Sequence, residues 1–278
     1  MSCSEKPILV FDSGVGGLSV VAHLRQQMPG RLLAYCCDNQ ALPYGTKPDA
    51  WLIERIVRIC RDAVEAVQAS VLVVACNTAS TLALTPLRDA LSIPVVGTVP
   101  AIKPAVRISR SKVIGLLATS ATTQRIYTDQ LIARFACGAR VVKIAADPLV
   151  TAAEQIAAGK PADMDTIASA IQPVLNEPAL DTVVLGCTHF PLLKEHLAAL
   201  APAHIDWIDS GAAIARRTQA VAPPSASPQD ASAGELNPSL ATAATAPGLA
   251  CMLARFGFAA PASLDVSMPV PDGTLEIR

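Results

Sequence analysis

Short β-branched apolar runs recur along this chain, each separated from the next by a longer stretch of helical periodicity. That alternation restricts the fold to βαβ units with mostly parallel sheet. The strand candidates are Ile8 to Phe11, Leu32 to Cys37, Val71 to Ala75, Val95 to Val96, Val113 to Leu117, Val141 to Ile144 and Val183 to Leu185. Between Trp51 and Val67, the residues Ile53, Ile56, Val57, Cys60, Val64 and Val67 return at helical spacing. Arg55, Arg58, Arg61, Asp62 and Glu65 supply much of the opposite face, so this segment is expected to be an amphipathic helix covering a sheet. The chain is 51% hydrophobic and only 16% charged, against roughly 25% charged in an average soluble domain. Large buried sheets account for that balance better than a solvated helical surface does.

The pattern also repeats itself. Ile8 to Ser13 (I-L-V-F-D-S) opens a strand, turn and helix, and Ile114 to Thr119 (I-G-L-L-A-T) does the same. Val71 to Thr78 (V-L-V-V-A-C-N-T) ends a strand in cysteine and threonine, and Thr182 to His189 (T-V-V-L-G-C-T-H) repeats that ending. Asp12 precedes Cys76 by 64 residues, and Ala118 precedes Cys187 by 69. The expected architecture is α/β, with two pseudo-symmetric lobes, each a mostly parallel sheet flanked by helices. Lobe A takes residues 1–97 and 209–278, and lobe B takes 98–208. Each lobe then carries one cysteine at the carboxyl end of a strand, where open parallel sheets bind ligands. If the lobes face each other, both thiols share one cleft. Residues 220–246 are rich in Ala, Pro, Ser and Thr and read as a flexible surface segment. A short helix around Gly248 to Phe256 and a last strand at Leu264 to Val266 follow.

Charge and hydropathy exclude several classes. A formal net charge of -1 gives no electrostatic footprint for nucleic acid. No apolar run approaches the roughly 20 residues that span a bilayer, and the polar Met1 to Lys6 with the short Pro7 to Phe11 run does not make a secretory signal. A cytoplasmic location with reduced thiols is the expectation for the eight cysteines. In that setting a cysteine matters through its thiolate chemistry or as packing.

Cys36, Cys37 and Cys60 lie in a strand or on a helix face, where cysteine acts as a small hydrophobe. Cys76 and Cys187 differ, because each closes a buried strand and precedes polar residues, Asn77-Thr78 and Thr188-His189. A thiol at that position meets the amides and dipole of the next helix, which favour its thiolate. Asp12 stands beside the Ser13-Gly14-Val15-Gly16-Gly17 turn; it is either an N-cap or a carboxylate serving the cleft. Gly14 and Gly16 begin a G-x-G-x-x-G pattern and Asp38 follows the second strand, but Ser19 occupies the third glycine position and Asp12 would repel a pyrophosphate. His189 is open to three readings: the thiol's proton partner, a metal ligand or a cap. A metal is not expected, since no C-x-x-C or H-x-E accompanies the Cys-x-His.

At these residues the chain resembles glutamate racemases of the cofactor-independent aspartate/glutamate racemase superfamily. The matching blocks are Phe11-Asp12-Ser13-Gly14-Val15-Gly16-Gly17-Leu18-Ser19, Pro43-Tyr44-Gly45, Ala75-Cys76-Asn77-Thr78-Ala79-Ser80 and Gly186-Cys187-Thr188-His189-Phe190-Pro191-Leu192. The resemblance implies a substrate held between two lobes, with Cys76 taking the α-proton from D-glutamate and Cys187 taking it from L-glutamate. It makes Asp12 the partner of Cys76, and His189 and Glu154 helpers of Cys187. Substrate contacts implied are Asp12, Ser13, Pro43, Tyr44, Gly45, Cys76, Asn77, Thr78, Thr119, Thr122, Cys187, Thr188 and His189. Around Thr119 the chain reads Ala118-Thr119-Ser120-Ala121-Thr122, where relatives often carry glycines before the threonines. No cofactor is implied: Lys47, Lys103, Lys112 and Lys194 have ordinary flanks, so nothing points to pyridoxal phosphate. The partner implied is glutamate itself, with D-glutamate passing to peptidoglycan synthesis; a homodimer is compatible with this.

Beside a ligand-binding or protein-interaction module with an idle site, against which both cysteine blocks and Asp12 argue, two other readings stay open from the residues alone. One is a related racemase acting on aspartate or a hydantoin. The other is a thiol hydrolase using Cys187 with His189 as its base, which leaves Cys76 without a task.

Overall fold

The computed structural model of the chain describes residues 6–224, 236–244 and 248–271. They fall into two compact units, Met1–Thr98 with Gly211–Arg278, and Val99–Ser210. The first unit opens with β1 (Ile8–Asp12), α1 (Leu18–Gln27), β2 (Leu33–Cys37), α2 (Asp49–Val67), β3 (Val71–Val74), α3 (Asn77–Ala90) and β4 (Val95–Gly97). The second unit follows with α4 (Ile102–Ile108), β5 (Val113–Ala118), α5 (Ser120–Thr123), α6 (Ile126–Phe135) and β6 (Arg140–Ala145). It continues through α7 (Pro148–Ala157), α8 (Met164–Leu175), β7 (Thr182–Leu185), α9 (Lys194–Leu200) and β8 (Asp206–Ile208). The chain then rejoins the first unit in α10 (Gly211–Val221), β9 (Ser239–Ala241), α11 (Leu249–Arg255) and β10 (Ala262–Ser263). The insert's two ends meet: Ser210 Oγ donates to the Val99 carbonyl at 2.5 Å.

Both sheets are parallel, in the order β10-β9-β2-β1-β3-β4 and β6-β5-β7-β8. Each contains the same arrangement, an opening strand (β1 or β5) flanked by the next strand on one side and the cysteine-bearing strand on the other. The internal echo read from the sequence is therefore an echo of topology. In such a sheet the chain reverses its winding direction between the opening strand and its cysteine-bearing neighbour, and a crevice forms at their carboxyl ends. Asp12 and Cys76 mark that point in the first unit, and Thr119 and Cys187 mark it in the second.

The strands of the first unit are continuous apolar runs because both faces are covered. Alternate residues Leu9, Phe11, Leu72 and Val74 share a core with α2 and α3, and α1 packs against α10. In the second sheet β6 is an edge strand and, unlike β5 and β7, leaves several side chains exposed.

Three expectations are corrected. The buried stripe of α2 is Leu52, Arg55, Ile56, Ile59, Cys60 and Ala63, so the helix is rotated by about one residue from the face read from the sequence, and Arg55 lies inside. Residues 220–246 are not uniformly a surface segment: Ser239–Ala241 form the buried strand β9 beside β2. Residues 225–235 and 245–246 of that stretch lie outside the described residues. The last strand is Ala262–Ser263 rather than Leu264 to Val266.

Candidate active site

In the first unit, β1 delivers Asp12 fully buried at its end. The following turn folds back on that carboxylate, with the Gly14 N–H donating to Asp12 Oδ1 at 3.0 Å. Tyr35, on the neighbouring strand, donates its hydroxyl to the Gly14 carbonyl at 2.7 Å. Gly17 is required where the helix starts, because a Cβ there would lie 2.9 Å from both Asp12 Cβ and the Tyr35 hydroxyl. Two strands away in sequence but adjacent in the sheet, β3 ends and Cys76 caps α3 in extended geometry. Ser13 Oγ lies 3.7 Å from Cys76 Sγ. Asn77 and Thr78 open the helix and are buried, and Asn77 Oδ1 has no hydrogen-bond partner among the described residues. A buried carbonyl oxygen without a donor is costly, and an incoming ammonium or N–H would satisfy it. Ser80, by contrast, is structural; its hydroxyl donates to the Val74 carbonyl and accepts from the Thr98 N–H.

In the second unit, β7 and Gly186 lead to Cys187, which is half-buried. His189 Nδ1 lies 3.8 Å from Cys187 Sγ, and its Nε2 lies 2.7 Å from Glu154 Oε1 on α7. The imidazole is almost fully buried, and burial alone would push its pKa down. The hydrogen bonds to Cys187 and Glu154 outweigh that and raise it well above the ordinary histidine value. An imidazolium at this position has an acceptor on either side, the Cys187 sulfur and the Glu154 carboxylate. Glu154, which the resemblance makes a helper of Cys187, is 26% exposed and faces the histidine. Thr119 caps α5, and its hydroxyl is 3.1 Å from that of Thr122. Thr188 is buried beside Cys187.

The remaining candidates cluster less tightly. Tyr44 is buried in a short helical turn, Tyr44–Thr46, while Pro43 is exposed. The Tyr44 hydroxyl donates to Asp38 at 2.8 Å, so it is already engaged within the protein. Asp38, where a ribose-binding acid would stand, is fully buried against Arg55. Cys36 and Cys60 are buried thiols pushed well up, first by burial and then by neighbouring negative charge, and they act as packing. Among the described residues no group of three or more His, Cys, Asp or Glu could hold a metal ion, and no helix is long and apolar enough to cross a membrane.

The sequence reading placed Arg55 on the polar face of its helix and gave Tyr35 no task beyond its strand. For Arg55 a signal existed: it lies three residues after Leu52 and four before Ile59, inside the apolar stripe rather than opposite it.

The chain is similar to known proteins both in sequence and in fold. The family model for Asp/Glu/Hydantoin racemase matches residues 16–218. A glutamate racemase of Pectobacterium carotovorum is 49% identical over 216 residues, 77% of this chain and 76% of that protein. Among solved structures, Escherichia coli glutamate racemase in complex with L-glutamate and the activator UDP-MurNAc-Ala superposes with a TM-score of 0.86 at 42% identity, covering 94% of this chain and 98% of that one. A glutamate racemase isoform from Bacillus anthracis gives a TM-score of 0.75 at 26% identity, covering 96% of this chain and all of that one. With the two strand-ending cysteines in equivalent places of two like sheets, and the matched model spanning most of both units, the chain belongs to the Asp/Glu/hydantoin racemase family.

Proposed function

We propose that this chain is a cofactor-independent glutamate racemase that interconverts the L and D enantiomers with Cys76 and Cys187 as its two acid–base groups. The observation that carries the reading is the repetition itself. Each sheet ends one strand in a cysteine at its winding reversal, and each cysteine has its own polar neighbour, Ser13 for Cys76 and the His189–Glu154 pair for Cys187. Racemisation removes a proton from one face of the α-carbon and returns one to the other. A single base would need the planar intermediate to turn over, whereas two thiols reaching one carbon from opposite faces would not.

In the L to D direction, the Cys187 thiolate takes the α-proton and the Cys76 thiol donates its own to the opposite face. The reverse direction exchanges the roles, so the competent enzyme holds one thiolate and one thiol. A His189 imidazolium supports the charge on Cys187, and Glu154 offsets the cost of burying that cation. The carbanionic charge that develops on the substrate is met by N–H and hydroxyl donors at the starts of the helices, with Thr78, Thr188, Thr119 and Thr122 as the side-chain candidates. Asp12 and Asn77 Oδ1 present acceptors suited to the α-ammonium. The product D-glutamate would supply peptidoglycan synthesis in the cytoplasm.

The Cys187–His189–Glu154 chain also has the form of a hydrolase triad, which makes a thiol hydrolase the second reading. One experiment separates the two. Incubated in D2O, the enzyme is expected to incorporate deuterium at Cα of either glutamate enantiomer. Cys76→Ala and Cys187→Ala are each expected to lower racemisation by about two to four orders of magnitude, the range for loss of a general acid or base. Near-parental racemisation by either alanine variant ends the two-thiol reading. An acyl-enzyme formed with equal efficiency in Cys76→Ala supports the hydrolase. Parallel assays on aspartate and hydantoins decide between glutamate and the related substrates.

A further inference from the structure

Asp38, just after β2, is the centre of a buried polar cluster that the proposed chemistry does not use. Its Oδ2 accepts from Arg55 Nε at 2.6 Å and from the Tyr44 hydroxyl at 2.8 Å. Its Oδ1 accepts from Arg55 Nη2 and from Thr242 Oγ1, both at 2.7 Å. Its own backbone N–H donates to the carbonyl of Asp12 at 3.0 Å. The Arg55 guanidinium is further tied to Gln40 Oε1 at 2.9 Å and to the Met268 carbonyl at 3.2 Å, and it stacks over the Trp51 ring. Both charged side chains are completely buried.

A buried ion pair of this kind is a poor way to add stability, because the cost of dehydrating two charges roughly cancels their attraction, and apolar replacements do as well or better. It is a good way to fix a geometry, because a two-pronged arginine permits only one orientation of the carboxylate. Here the carboxylate so fixed grips the turn that the racemase reading assigns to substrate binding. Its main chain is bonded to the residue that ends the neighbouring strand, Asp12. Tyr44 also shares a core with Cys76 and Ala79, so the turn lies on the Cys76 side of the chemistry.

We propose that Asp38, oriented by Arg55, is a positioning residue that locks the Pro43–Gly45 turn in register with Asp12, so that the turn's main-chain N–H groups receive a substrate carboxylate. The inference rests on the racemase reading for the identity of that ligand. Burial, and then the Asp38 charge, push the Tyr44 phenol well up, so it stays a donor across the working pH range.

Replacing Arg55 would strip a buried carboxylate of its counter-charge and endanger folding, so the hydroxyls are the better handle. Tyr44→Phe removes the bond between the carboxylate and the turn. Thr242→Val removes a second bond to the same carboxylate but leaves the turn attached. The proposal expects Tyr44→Phe to raise KM for both glutamate enantiomers about tenfold, the size of one hydrogen bond to a charged group, with kcat changed less than about twofold. It also expects faster amide exchange over residues 43–47. Thr242→Val is expected to leave KM, kcat and that exchange at parental values, even where the melting temperature falls as it does in Tyr44→Phe. Unchanged KM in Tyr44→Phe, or an equal rise in both variants, overturns the positioning role and leaves Asp38 as a structural hub. If the parent protein fails to racemise glutamate, the substrate reading falls separately. Amide exchange then decides alone, with equal exchange over 43–47 in parent and Tyr44→Phe refuting the proposal.

Discussion

At Cys187 the sulfur, an imidazole 3.8 Å away and a carboxylate 2.7 Å beyond it form a hydrogen-bonded chain. His189 is the pivot. Its folded-state pKa lies above the ordinary value, so the imidazolium persists to higher pH than in a free histidine and is lost as pH rises through that raised value. Activity that depends on the imidazolium should therefore fall on the alkaline side. Glu154→Gln removes one cause of the rise, so the alkaline limb of kcat/KM is expected to move to lower pH. The plateau should drop about 10- to 100-fold, the worth of one charge-assisted hydrogen bond. Because two enantiomers are equally stable, kcat/KM is the same in both directions, and the loss must appear equally from L- and D-glutamate. A Glu154→Gln profile that superposes on the parent would remove Glu154 from the relay. The cysteines, Asp12 and His189 could be singled out in the sequence because they stand at or just past the ends of short continuous apolar runs that read as buried strands. Glu154 was not legible on spacing alone, since a helix residue 35 positions from its partner meets it only through tertiary packing.

Among the elements, β7 depends on an anchor at the end remote from Cys187. Asp181 precedes the strand, and its carboxylate accepts from the Ser109 and Thr182 hydroxyls and from the N–H groups of Arg110 and Ser111, at 2.7 to 2.9 Å. Burial alone would raise its pKa, but these four donors prevail and hold it far below the usual carboxylate range. Since the folded value is depressed, the stabilisation is present above the unfolded value of about 3.9 and is lost progressively as pH falls below it. Asp181→Asn is expected to cost about 1–3 kcal/mol at neutral pH, with the gap to the parent shrinking below about pH 4. Urea unfolding at several pH values measures this, and a gap independent of pH would contradict it. Elements also show where pattern reading stops. The seven strands read from periodicity are all present within a residue or so of their ends. By contrast β8, β9 and β10 are two- or three-residue strands that, unlike the equally short β4 with its Val95-Val96 pair, carry no run of β-branched residues. β9 is held instead by side-chain clamps, with Asn39 and Gln40 bonded to residues 242 and 243. The face of α2 was misjudged for another reason: an arginine was assumed to seek water, when Asp38 gives it a buried partner.

For the molecule as a whole, the second unit is an insert with its own sheet and its own apolar core around Ala105, Ile114, Leu116 and Val184. At 112 residues, Val99–Ser210, it falls within the size range of independently folding domains. We expect a fragment spanning 99–210 to fold alone and to unfold in a single cooperative transition in urea, monitored by circular dichroism. A broad, non-cooperative loss of helix would refute this. The fragment contains Cys187, His189 and Glu154 but lacks Cys76, so it should not racemise glutamate.

The hydrogen bond between Ser210 and the Val99 carbonyl means that the chain departs from and re-enters its host at one doorway. Segments that begin and end at one point can be exchanged like cassettes, because a graft need only match the doorway and not the interior. Related enzymes could therefore diversify this unit, or borrow it whole, without disturbing the six-stranded sheet that carries Cys76 past the end of β3.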